Sequence, residues 1–284
     1  MSVALLPLLI LLAIVSLISV GVYLLGRQVS ERDIAWLAGS WPVGGDEARV
    51  YWAYLDRHNN GRLVGGLTGI VLGVILTIRW GDSWSLTVGV GTPLLGNLLA
   101  WWLGGAVLGT LAAEVYRLPR RRPIRQALLD SRPEPPLRGV VWVARTAGAL
   151  TLVAAGLALT LLHDAVGLPG AIFTLVVVGL AESTRRAIAD RPRPTTQPAV
   201  HVDVRLRWYA ASSVAWLELA GATLGLATAC NVWLASIPAT SPWIAGGVAV
   251  WLAFIVVIIV AIFRSRLRPP RRWVAPVPQT VDYR

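Results

Sequence analysis

The chain of 284 residues holds a single cysteine, Cys230, a single methionine and no lysine. One cysteine excludes an intrachain disulfide and leaves no cysteine-built zinc site. Histidine is nearly as scarce. Only His58, His163 and His201 occur, with no two at i,i+4, which argues against a haem or a histidine-rich metal centre. No two aspartates lie close enough on one helix to hold the magnesium that prenyl or phosphatidyl transfer needs. Asp190-Arg-Pro-Arg-Pro194 offers arginines to a phosphate, but no histidine-bearing motif follows to act as nucleophile. A reactive serine with a His or Lys partner in an apolar segment is absent, as is a glycine loop ending in lysine, so ATP hydrolysis would belong to a separate subunit. The expectation is a protein that is not an enzyme and carries no cofactor or metal.

What the chain does have is apolar length, with 55% hydrophobic residues and mean hydropathy +0.62. The segments 5–25, 63–78, 86–113, 140–162, 165–181, 214–236 and 243–263 each approach the roughly 20 residues that cross a hydrocarbon core. Those at 63–78 and 165–181 are short, and 86–113 is too long for an upright crossing. Thr92-Pro93 near its start predicts a kink or a partly re-entrant entry. Residues 1–25 lack the positive n-region and small-residue cleavage site of a signal peptide, so they read as a retained first helix.

The arginines set an orientation. Of 26, five lie in 26–62, seven in 114–139, six in 182–213 and six after Phe263, while the alternate loops hold only Arg79, and Arg145 sits inside a segment. By the positive-inside rule the rich loops are cytoplasmic. The reading is an all-α polytopic membrane protein with seven transmembrane helices, N-terminus out and C-terminus in, ending in a basic cytoplasmic tail over 264–284. The arginine-for-lysine bias suggests a bacterial chain, hence a multi-pass protein of the bacterial cytoplasmic membrane. The net charge of +11 is spread over juxtamembrane stretches and not gathered on one soluble face, which points to anionic lipid and away from nucleic acid.

A weak repeat relates Arg62–Leu76 to Arg145–Leu159 through Arg62/Arg145, Gly65/Gly148, Leu67/Leu150, Thr68/Thr151, Gly73/Gly156 and Leu76/Leu159. It divides the chain into one leading helix plus three helical hairpins in parallel repeat, the third matching least. Gly65, Gly69 and Gly73, Gly105 and Gly109, and Gly221 and Gly225 have the spacing that lets helix backbones approach, read first as internal packing and second as a homodimer seam. Residues 46–59 read as an interfacial helix lying flat, with Ala48, Tyr51, Trp52 and Leu55 as its apolar stripe and Asn60-Gly61 as its stop.

Charges near membrane depth are the candidate sites. The repeat places Arg62, Arg145 and Glu218 at similar depth, so an Arg145–Glu218 ion pair, with Arg62 nearby, competes with each residue snorkelling to the interface. Glu114 and Glu182 read as helix-end partners of Arg117 and Arg185, three residues on. Arg120, Arg121, Arg122, Arg191 and Arg193 are candidates for binding lipid or a protein partner. Asn97, Cys230 and Asn231 would face a polar path or bond a neighbouring helix. On the outer side Asp82, His163 and Asp164 read as exposed turn residues. Three functional readings follow. The first is a non-catalytic, permease-like or accessory subunit of a larger membrane assembly, with other protein subunits as partners. The second is a self-sufficient small transporter, and the third a membrane enzyme acting on lipid headgroups.

Overall fold

The computed structural model describes residues 29–39, 43–80, 93–115, 137–161, 167–190, 197–235 and 243–266, and every regular element among them is an α-helix. In chain order these are α1 (Glu31–Ala38), α2 (Gly45–Trp80), α3 (Pro93–Val115), α4 (Arg138–Leu161), α5 (Leu168–Ala189), α6 (Gln197–Ala235) and α7 (Trp243–Ser265). The expected first span at 5–25, the turn residues Asp82, His163 and Asp164, and the tail beyond 266 lie outside the described residues. The expected kink at Thr92-Pro93 falls at their edge, since α3 opens on Pro93, where a missing N–H costs nothing.

Five helices, α2, α4, α5, α6 and α7, are long and apolar enough to cross a membrane. Their outward faces carry Val64, Val71, Ile75 and Ile78 on α2, Leu150, Val153 and Leu157 on α4, and Val256, Val260 and Phe263 on α7, all exposed. So continuous an apolar surface suits hydrocarbon and not water. α6 is the centre: 83% of its most apolar stretch is enclosed, against 11% for α7. α4, α5 and α7 pack along it, α3 and α1 touch it, and α2 lies along α3.

Two seams of small residues bring backbones together. On α2, Gly61, Gly65 and Gly69 face Gly105 and Gly109 of the antiparallel α3. A Cβ added at Gly65 would come within 2.7 Å of the Gly109 Cα, and one at Gly105 within 2.9 Å of the Gly69 Cα. With no hydrophobic drive between helices in lipid, such close contact is a main source of association. The second seam runs between α5 and α6, where Gly170 meets Thr228, Gly225 meets Thr174 and Gly221 meets Val177. Gly221 and Gly225 thus serve α5 and not the hairpin partner α7, the structural counterpart of the third hairpin's poor match to the repeat.

The expected helix stop at Asn60-Gly61 is corrected, because α2 runs unbroken from Gly45 to Trp80. Gly61 is small for a packing reason: a Cβ there would sit 2.8 Å from the Gly109 carbonyl oxygen. The Asn60 amide is engaged sideways, donating to Asp56 at 2.9 Å. The glycine that does end a helix is Gly39, left-handed at φ 73, which closes α1 by donating its N–H to the Ala35 carbonyl at 2.8 Å. At its other end α1 starts on a capping box, Ser30 with Asp33.

At 36 and 39 residues, α2 and α6 run about 54 and 58 Å, well beyond a hydrocarbon core of about 30 Å. Their first turns, with α1, form one end of the hydrophobic core through Ile34, Leu37, Tyr51, Tyr54, Leu206 and Tyr209. Trp36 and Tyr54 stand edge-on to Tyr209 at 5.4 and 6.3 Å. Of the expected stripe on 46–59, Tyr51 is buried and Ala48 and Leu55 pack against the core, whereas Trp52 is exposed and Tyr54 and His58 join the buried face.

Candidate functional site

Along the α5–α6 seam the apolar ladder gives way to charge directly after Ala181. Glu182 gathers three guanidinium groups: Arg145 of α4 at 2.9 Å, Arg185 at 2.5 Å and Arg186 at 3.5 Å. Arg185 then spans inward and donates through its other nitrogen to Glu218 of α6. Side-chain exposure falls along this chain from 56% at Arg145 to 29% at Glu182, 12% at Arg185 and 0% at Glu218. Charges therefore alternate from the surface to the bundle centre, each carboxylate meeting a guanidinium, which is what makes their burial tolerable. Glu218 Oε2 is bonded by Arg185, while its Oε1 is enclosed and meets no partner among the described residues.

The Arg145–Glu218 pair expected from the sequence takes a different form. Arg145 is half exposed and pairs with Glu182, while Arg185, on the helix packed against α6, holds Glu218. Arg62 stands elsewhere, donating to Ser265 Oγ of α7 at 3.0 Å, and the Ser265 carbonyl in turn accepts from Ser213 of α6 at 3.0 Å. The three residues grouped by the repeat are divided between two places, since Arg62 belongs to a helix that packs on α3 and reaches toward α7. The Glu182–Arg185 pair three residues apart is present and extends further than a helix-end pair would. Arg120, Arg121, Arg122, Arg191 and Arg193 lie outside the described residues.

A second buried cluster joins α2 to α3. Glu114 Oε1 accepts from the Tyr54 hydroxyl at 2.5 Å and lies 2.6 Å from His58 Nε2, all three side chains being buried. The Arg57 guanidinium sits over the Tyr54 ring, 5.7 Å from its centroid. Sequence reasoning missed this site, having assigned Glu114 to Arg117, which lies outside the described residues. The glycine seam carried the missing signal. Once Gly61 is set opposite Gly109, one further turn sets His58 opposite Glu114.

The remaining buried polar groups are largely satisfied within their own helices. The hydroxyls of Thr110, Thr151, Thr174 and Thr184 each donate to the carbonyl four residues back, at 2.7 to 2.8 Å. Asn97 is buried and Cys230 half-buried. No cluster of three or more His, Cys, Asp or Glu that could hold a metal ion occurs among the described residues.

Fold and site together define the class: an all-helical bundle with helices of membrane-span length, apolar outside and charge-paired within, compatible with a multi-pass membrane protein. The sequence matches no protein-family model, and neither a curated protein nor a solved structure is significantly similar to it.

Proposed function

We propose that this chain is a non-catalytic, permease-like or accessory subunit of a larger assembly in a bacterial cytoplasmic membrane, with its N-terminus outside and its arginine-rich loops and tail in the cytoplasm. The observation that carries this reading is that the buried charges are spent on one another. Arg185 joins Glu182 to Glu218, and Glu114 takes up Tyr54 and His58, so the ionisable groups act as struts between helices. The end of the core formed by α1 and the first turns of α2 and α6 would then stand on the cytoplasmic side, where a soluble partner or anionic lipid meets the basic loops. Reporters fused after Arg32, Pro123, Arg193 and Arg272 should read cytoplasm and those after Asp82, Asp164 and Thr240 the exterior; one clear inversion breaks the topology. Mild-detergent purification should bring down other subunits, and the chain alone should show neither ATPase activity nor solute uptake.

A second reading, a self-sufficient transporter, is favoured by one feature: Glu218 is an enclosed carboxylate with one oxygen unbonded among the described residues. Saturable uptake into liposomes holding this chain alone would promote that reading over the first.

A further inference from the structure

The lipid-facing junction of α4 and α5 combines four features that no interior strut requires. Arg145 and Arg186 converge there on the same carboxylate, Glu182, from two helices, and remain 56% and 74% exposed. Because Arg185 is already shared with Glu218, the outer part of the cluster sets two guanidinium groups against one carboxylate, an excess of one positive charge. One turn before Arg145, on the same face, stands Trp142 at 69% exposure, and Arg138, also exposed, is one turn earlier again. The other carboxylate near this end of α5, Asp190, lies a turn beyond Arg186, where its backbone N–H donates to the Arg186 carbonyl at 2.9 Å.

Below the arginines the two helices touch at Gly148, where a Cβ would lie 3.5 Å from Thr174 and Val178, and their outer faces stand open. α4 and α5 each pack more closely on α6 than on one another. Gly156 lies eleven residues from Arg145 and Gly179 seven from Arg186, so each continues the stripe of its arginine. Both are exposed, and a Cβ at either would meet nothing within 4 Å. Ile172, a further seven residues along α5, is exposed on the same stripe.

We propose that this junction binds one anionic phospholipid, its phosphate between Arg145 and Arg186, its headgroup beside the Trp142 indole one turn nearer the start of α4, and an acyl chain along the open outer face past Gly179 and Gly156. A phosphodiester carries the single negative charge that the cluster lacks, and planar guanidinium groups match its oxygens. Indole is suited to the same depth, where hydrocarbon meets headgroups. Basic pockets between membrane helices recognise anionic headgroups by this combination. The proposal rests on the multi-pass reading, which the topology reporters test separately.

The test equilibrates the full chain with micelles of mixed phosphatidylcholine and phosphatidylglycerol and counts the lipid retained per chain by mass spectrometry. One phosphatidylglycerol should be retained preferentially. Arg186→Gln should weaken retention roughly fivefold, and Arg145→Gln with Arg186→Gln about 25-fold. Arg264→Gln, at the exposed end of α7, should leave it within about twofold. Since Arg186 is the most exposed member, its variant keeps the test valid even if the double variant fails to fold. Equal retention of the two lipids, or an Arg186→Gln chain that binds like the parent, would overturn the site. Displacement of the lipid by millimolar inorganic phosphate would also overturn it, making the junction a free-anion site.

Discussion

Replacing Gly65 with alanine tests whether backbone contact holds α2 to α3. The new methyl would arrive 2.7 Å from the Gly109 Cα, where carbon atoms prefer about 3.5 to 4.0 Å. Backbone cannot swing aside as a side chain can, so the seam must open by about 1 Å, and a gap of 0.5–1 Å forfeits roughly a quarter to a half of each dispersion well along it. Overpacking of this kind costs about 1–3 kcal/mol. Against that, alanine gains about 1 kcal/mol over glycine in a helix interior. Gly179→Ala supplies the reference, since nothing lies within 4 Å of its Cβ position and the same gain is kept in full. The difference between the two variants is therefore the packing cost itself, about 1–3 kcal/mol. Reversible unfolding in mixed micelles titrated with dodecyl sulfate, followed by circular dichroism, reads that difference. Equal stability of the two variants would refute the argument and with it the role of the glycine seam.

Arg185→Leu should destabilise the protein by about 3–5 kcal/mol in the same assay, because it strands the enclosed Glu218 carboxylate, and adding Glu218→Leu should recover much of the loss. Arg145→Gln, at a half-exposed position, should cost about 1 kcal/mol or less, so the reverse ranking of the Arg145 and Arg185 variants would contradict the order of the chain. Tyr54→Phe removes a hydrogen bond to a charged group and should cost about 2 kcal/mol, measured as a lower unfolding midpoint. A neutral Tyr54→Phe would mean that the hydroxyl does not hold Glu114.

Much of the helix inventory was legible from hydropathy. The segments at 140–162 and 243–263 correspond to α4 at 138–161 and α7 at 243–265. The misses share a cause. Hydropathy ends a segment at the first charges, but a helix ends only where its backbone bonding does. α5 continues through Glu182 to Ala189, and α6 begins at Gln197, well before the expected 214, because i,i+4 pairs such as Asp203–Arg207 at 2.6 Å stabilise helix across charged sequence. α2 ran past its expected boundary for the same reason that Gly61 misled: a glycine read as a terminator was a contact point. The site was less legible. Glu218 was named as a charge that either pairs or snorkels to the interface; it is enclosed, and its partner depended on which helix lies against α6, which is tertiary information. His58 and Glu114 were invisible until the α2–α3 register was known.

The central place of α6 bears on how the chain assembles. Residues 197–235 are made after α2 to α5, so the helix on which α4 and α5 both rest emerges later than they do. α2 and α3 have no such delay, for their glycine seam joins neighbours in the chain and can close as soon as both are made. Until α6 arrives, Arg145 and Glu182 are the charges that α4 and α5 can offer each other, while Arg185 has yet to meet Glu218. A chain truncated before Gln197 would therefore present a closed α2–α3 hairpin beside an α4–α5 pair whose inward Arg185 still lacks Glu218.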